Sequence, residues 1–105
     1  MSAVYIHIFL FRWKPEATPA DHRRATREIE AFHGAVPGLL EVAVGPNLAA
    51  NSGGFSFGGY LKFANAAACD AYASHPLHLA LLEWLVPLID AVELDLDAGT
   101  LEGNS

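Results

Sequence analysis

Apolar residues occupy both parities of the chain between residues 4 and 13: Tyr5, His7, Phe9, Phe11 and Trp13 alternate with Val4, Ile6, Ile8 and Leu10. Side chains of a strand point alternately to opposite faces, so this pattern predicts a strand covered on both sides. Thr18-Pro19-Ala20-Asp21 then supplies an N-cap, a proline at the first helical position and an acid at the third. Ala25, Ile29, Phe32 and Val36 recur at helical spacing, which predicts a helix over about 19–35.

Pro37-Gly38 stops that helix, and Leu40, Val42 and Val44 alternate with Glu41 and Ala43 up to Gly45-Pro46-Asn47, a half-exposed second strand. After the loop at 51–54, Phe55, Phe57, Gly59, Leu61 and Phe63 share one parity and predict a third strand. Asn65 caps a short helix over 66–74, Pro76 restarts the chain into a helix that Pro87 ends, and 91–96 reads as a last strand. The order β, α, β, β, α, β is the ferredoxin-like arrangement of an α+β domain, an antiparallel sheet with its helices on one face.

That topology leaves one face of the sheet uncovered, although the first strand is apolar on both sides. A second copy of the same sheet is the expected cover, giving a homodimer with a barrel between the subunits. Glu93, Asp95 and Asp97 alternate along the last strand and read as a solvated sheet edge, with Arg12 and Lys62 as partial counter-charge. One domain is expected over 1–97, followed by a flexible tail over 98–105.

Composition narrows the class. The chain of 105 residues is 52% hydrophobic and 17% charged, beyond what a disordered segment carries, and no apolar run reaches the roughly 20 residues of a membrane span. A formal charge of −6 gives no attraction to phosphate backbones or anionic membranes, so neither nucleic acid nor a membrane is expected as a partner. The lone Cys69 has no internal partner, and the N-terminus enters the strand pattern without a charged leader, so a cytoplasmic location is expected. Phosphate loops, nucleophile elbows and dinucleotide fingerprints are absent from the sequence.

Three segments carry a family resemblance: Ile6-His7-Ile8-Phe9-Leu10-Phe11-Arg12-Trp13-Lys14-Pro15, Val44-Gly45-Pro46-Asn47, and Ala71-Tyr72-Ala73-Ser74-His75-Pro76-Leu77-His78. They resemble the stress-responsive A/B barrel (Dabb) family over nearly the whole chain, the His-Pro-x-His turn being the most specific element. The resemblance implies a homodimeric α+β barrel. One plant branch, the polyketide cyclase that forms olivetolic acid, works without cofactor through a histidine and a tyrosine as acid/base pair. On that resemblance the catalytic pair falls on His78 and Tyr72, and a pocket histidine on His7. Phe57 stands where that branch has a histidine and Ile29 where it has an aromatic residue, so the substrate does not carry over.

The residues support such chemistry on their own terms. An imidazole with a pKa of about 6.5 accepts a proton at neutral pH, and a phenol of pKa about 10 donates to a carbonyl oxygen where charge develops. Neither a metal nor a cofactor is required. Phe9, Phe57 and Leu81 are expected to form an apolar wall, and Gly59 to leave room for a ligand. His75 and Pro76 are expected to hold the turn that aims Tyr72 and His78. His75 and His78 also have the spacing of metal ligands, with His7 as a third, but no carboxylate or cysteine joins them in the pattern, and no metal site is expected. His22 and His33 read as surface residues, Cys69 as a small hydrophobe on the Tyr72 face, and Trp84 as core or dimer contact.

Two functions stay open. One is a cofactor-independent lyase, cyclase or isomerase acting on a small enolisable carbonyl or polyketide-like compound. The other is a non-catalytic stress-responsive protein that binds a hydrophobic small molecule.

Overall fold

A computed structural model describes residues 4–99. Strand β1 (Val4–Trp13) leads through helix α1 (Pro19–Glu30) to β2 (Leu39–Pro46) and β3 (Phe57–Phe63). Helices α2 (Ala66–Ala73) and α3 (Pro76–Leu85) and a 3₁₀ turn (Val86–Leu88) then precede β4 (Ile89–Gly99). The sheet is antiparallel in the order β2-β3-β1-β4, the ferredoxin-like topology, with β2 and β4 at the edges.

Thr18 caps α1 as its side chain implied: its hydroxyl accepts from the Asp21 N–H at 3.2 Å, and the Asp21 carboxylate accepts from the Thr18 N–H at 2.8 Å. The helix stops at Glu30, short of the expected 35. Beyond it the chain tightens into i→i−3 turns, Phe32 N–H to Ile29 O and His33 N–H to Glu30 O, and Gly34 turns to a φ of +87°. Phe32 and Val36 are still buried, which is why the helical period continued in the sequence past the helix itself. Likewise β3 begins at Phe57 rather than 55, and β4 runs over Ile89–Gly99 rather than 91–96, because every residue of β1 from Val4 to Trp13 finds a partner on it. Ala98 and Gly99 therefore belong to β4, and the rest of the expected tail lies outside the described residues.

One face of the sheet packs on the helices. Phe9 and Phe11 of β1, Phe57, Leu61 and Phe63 of β3 and Leu39 of β2 meet Ala25, Ile29, Phe32 and Val36 from the α1 segment, with Tyr72, Leu81 and Leu85 from α2 and α3. On the opposite face Ile6, Ile8 and Leu10 pair with Leu96, Leu94 and Val92, which are 43%, 52% and 42% exposed. Among the described residues nothing covers this apolar face.

Candidate active site

The inner face of β1 becomes polar toward its start. His7 precedes the buried Phe9 by one strand repeat, and its cross-strand partner on β4 is Asp95. The His7 Nδ1 lies 2.6 Å from Asp95 Oδ1, and the Tyr5 hydroxyl donates to Asp95 Oδ2 at 2.9 Å. A carboxylate only accepts, so the proton of the neutral His7 ring sits on Nδ1 and Nε2 carries the lone pair. Glu93, one repeat along β4, has Oε1 4.0 Å from that Nε2. Burial alone would raise the Asp95 pKa, but the hydrogen bonds from His7 and Tyr5 hold it below the ordinary carboxylate range. The same bond to Asp95, more than burial, pushes the Tyr5 phenol up to about 12.

This dyad corrects the sequence reading of β4. Glu93, Asp95 and Asp97 share a face with His7, Phe9 and Tyr5, whereas Arg12 and Lys62 lie on the other face of the sheet and are no counter-charge to them. Arg12 instead covers the ring of Phe55 at 4.8 Å. β4 is an edge strand as expected and its acids remain exposed, but Asp95 also holds His7 and Tyr5.

Tyr72 and His78 arrive from the helices. Asn65 caps α2 by accepting from the Ala68 N–H at 2.9 Å, and Tyr72 sits in the last turn of that helix. At the junction His75, extended at φ −65° and ψ 137° before Pro76, accepts the Leu77 N–H on Nδ1 at 3.1 Å. Pro76 then opens α3, bringing His78 against Tyr72 with ring centroids 4.2 Å apart. The Tyr72 ring is 6.3 Å from that of His7 and also touches Phe32 and Phe63.

The two rings have complementary proton chemistry. The His78 Nδ1 lies 3.0 Å from the Ala73 carbonyl oxygen, so Nδ1 donates and Nε2 is the free base in the neutral ring. Burial is the largest influence on His78 and carries its pKa below 6.5, against the opposing pull of the Ala73 carbonyl. Burial, reinforced by the nearby Cys69 and Glu93, raises the Tyr72 phenol well above its ordinary value. Tyr72 therefore remains a hydroxyl donor at any physiological pH, and among the described residues its hydroxyl has no hydrogen-bond partner inside the fold.

The three residues stand between two hollows. On the inner side a cavity of about 120 Å³ is walled by Phe9, Phe11, Ile29, Leu81 and Leu85, with His7, Tyr72, His78 and Glu93 at its polar end. On the outer side a hollow of about 220 Å³ is bordered by Cys69, Asp70, Ala73, Glu93 and Asp95 as well as by the same three rings. Burial and the neighbouring Asp95 push the Cys69 thiol up to about 11, so it stays protonated and offers no nucleophile.

His7, Phe9, Ile29, Tyr72, His78 and Leu81 thus meet at one place. Phe57 and Gly59 do not. Phe57 stacks on Phe11 at 5.8 Å and borders a separate hollow beside Trp13 and α1. Gly59 opens no space in the cavity: a Cβ there would run into the β2 backbone at Ala43 and Val44, so its missing side chain lets two strands approach. His22 is half-buried rather than fully on the surface, since it stacks on Trp13 at 4.2 Å and its Nε2 is buried. His33 is exposed, and Trp84 lies half-buried under Arg24, donating to Glu28 at 3.0 Å. Among the described residues no group of three or more histidines, cysteines or acids is arranged to hold a metal ion. Asp95 and Glu93 are the site residues that sequence reasoning missed; the signal available was their parity relative to His7 once the β1/β4 register is known.

Solved structures share this architecture. A dimeric ferredoxin-like protein of unknown function from Thermobifida fusca is 26% identical, with a TM-score of 0.81 and 92% of each chain covered. The hydroxynitrile lyase of Passiflora edulis is 15% identical, with a TM-score of 0.78, covering 95% of this chain and 99% of its own. SnoaB, a cofactor-independent oxygenase from Streptomyces nogalater, is 14% identical, with a TM-score of 0.75, covering 94% of this chain and 96% of its own. With the two enzymes the likeness is one of fold. No curated protein matches the chain. Among the described residues no helix is long and apolar enough to cross a membrane. The family model described as Stress responsive A/B Barrel Domain matches residues 6–97, and the chain belongs to that family.

Proposed function

We propose that the protein is a cofactor-independent acid/base catalyst, a lyase, cyclase or isomerase, acting on a small enolisable carbonyl compound. The observation that carries this reading is the contact between Tyr72 and His78 at the polar end of an apolar cavity, with their proton inventories already divided. His78 Nε2 takes a proton from the carbon beside the carbonyl, the Tyr72 hydroxyl donates to the oxygen where charge gathers, and His7, held by Asp95, orients the substrate. The apolar walls receive the hydrocarbon part of the ligand. Two enzymes, one of them described as cofactor-independent, are built on the same fold, which supports a catalytic reading.

We further infer that the chain works as a homodimer. Support comes from the uncovered apolar sheet face of Ile6, Ile8, Leu10, Val92, Leu94 and Leu96, and from the dimeric state of the Thermobifida fusca relative.

The test is a screen of small β-keto and polyketide-like compounds against the native protein and the His78→Ala and Tyr72→Phe variants. Turnover that drops in both is the expected result. Turnover that survives both undiminished overturns the acid/base reading, and ligand binding without any turnover supports a non-catalytic binding protein instead.

A further inference from the structure

Both approaches to the candidate site reject negative charge, each for a different reason. In the inner cavity Phe9, Ile29, Leu81 and Leu85 offer no donor, so a carboxylate there loses its hydration and finds only the neutral Tyr72 hydroxyl in return. In the outer hollow it meets Asp70, Glu93 and Asp95. No lysine or arginine borders either hollow among the described residues. Arg23, Arg24 and Arg27 lie on α1 and Arg12 and Lys62 on the opposite sheet face, away from this site.

The histidines do not offset this. His7 already has its Nδ1–H committed to Asp95, and its Nε2 looks toward Glu93. His78 is driven toward its neutral form by burial. The rim is therefore acidic with no lysine or arginine to clamp a second carboxylate, the role a guanidinium or ammonium fills where a carboxylate is bound.

Resting on the function proposed above, we propose that the substrate is an uncharged carbonyl compound, and that Asp70 and Glu93 act as specificity-determining residues that exclude its carboxylate counterparts. 2-Oxo acids, β-keto acids and other substrates with an anion near the reacting carbonyl are rejected at the rim, before Tyr72 and His78 are reached.

A matched pair tests this: 4-phenylbutan-2-one and 2-oxo-4-phenylbutanoate differ only by a methyl group against a carboxylate on the carbonyl. Binding is read at pH 7.5 and low salt from the ring resonances of His78, without need of turnover. The ketone is expected to bind roughly tenfold or more tightly than the oxo acid, and the ratio to narrow to about threefold or less in the Asp70→Asn/Glu93→Gln variant or at high salt. Equal or tighter binding of the oxo acid, or a ratio that ignores both the variant and salt, overturns the charge filter while leaving the acid/base site standing. If neither compound perturbs His78, the site reading itself fails and the filter falls with it.

Discussion

Asp95 reaches His7 Nδ1 at 2.6 Å and leaves the other ring nitrogen of that histidine as a base. An amide in place of the carboxylate can donate as well as accept, so the tautomer is no longer fixed. Asp95→Asn is expected to lower kcat by on the order of tenfold or more, while Tyr5→Phe, which leaves the carboxylate in place, costs far less. Steady-state kinetics on a substrate found by the screen, paired with thermal melting to confirm that both variants fold, checks this.

His78→Ala and Tyr72→Phe each remove one half of a proton transfer, an effect of roughly 10²- to 10⁴-fold on turnover. Because His78 titrates below 6.5, activity should rise with pH and level off before neutrality. A rising limb centred above 7 contradicts His78 as the base.

Stability should fall on the acid side for related reasons. Asp95 has a folded pKa below its unfolded value, so its contribution is present above about pH 4 and lost as pH falls through the folded pKa. His78 is also depressed, and its contribution is present above about pH 6.5 and disappears as pH falls below that value. Tyr72 is raised, so its contribution holds below about pH 10 and is lost as pH climbs toward its folded pKa. The Cys69 thiol is raised too, and its contribution begins to be lost above about pH 9, so urea midpoints measured between pH 3 and 11 are expected to form a plateau from near neutrality to about pH 9.

Two glycines separate backbone strain from crowding. Gly34 has φ +87° with nothing within 4 Å of a Cβ placed there, whereas Gly38 has φ +79° and its Cβ would meet that of Ala68 at 2.6 Å. Gly34→Ala is expected to cost about 1 kcal/mol and Gly38→Ala about 2 kcal/mol or more, since the second must also push α2 away from the start of β2. Denaturant unfolding of the two variants gives the comparison.

Leu61 is fully buried on β3 under the helices, and Leu61→Ala should cost about 2–5 kcal/mol through loss of contact and a residual cavity. Leu94→Lys on the opposite face should leave the monomer folded and drive the solution mass toward that of a single chain, as read by sedimentation.

The element order was legible because each element carries local signals: the alternation in β1, the Thr18–Asp21 cap, and the breaks at Pro37-Gly38 and Pro76. The aromatic pair was legible through the His75-Pro76 turn that separates Tyr72 from His78. What stayed hidden depends on register between distant segments. Nothing near Asp95 in the chain says that it pairs with His7, 88 positions away, and so a row of acids on an exposed edge gave no sign of a contact with the site. That Gly59 lies away from the Tyr72 and His78 cavity was hidden for the same reason, since its close neighbour is the backbone of another strand.

Strand β1 assigns its odd positions to Tyr5, His7 and Phe9 and its even positions to Ile6, Ile8 and Leu10. A single inserted or deleted residue between Val4 and Phe9 would exchange these sets, sending imidazole toward the association surface and isoleucine into the polar end of the cavity. Point substitutions can tune chemistry and self-association independently, but a shift of reading along this strand forfeits both together. The spacing here is therefore less tolerant of change than the identity of any one side chain.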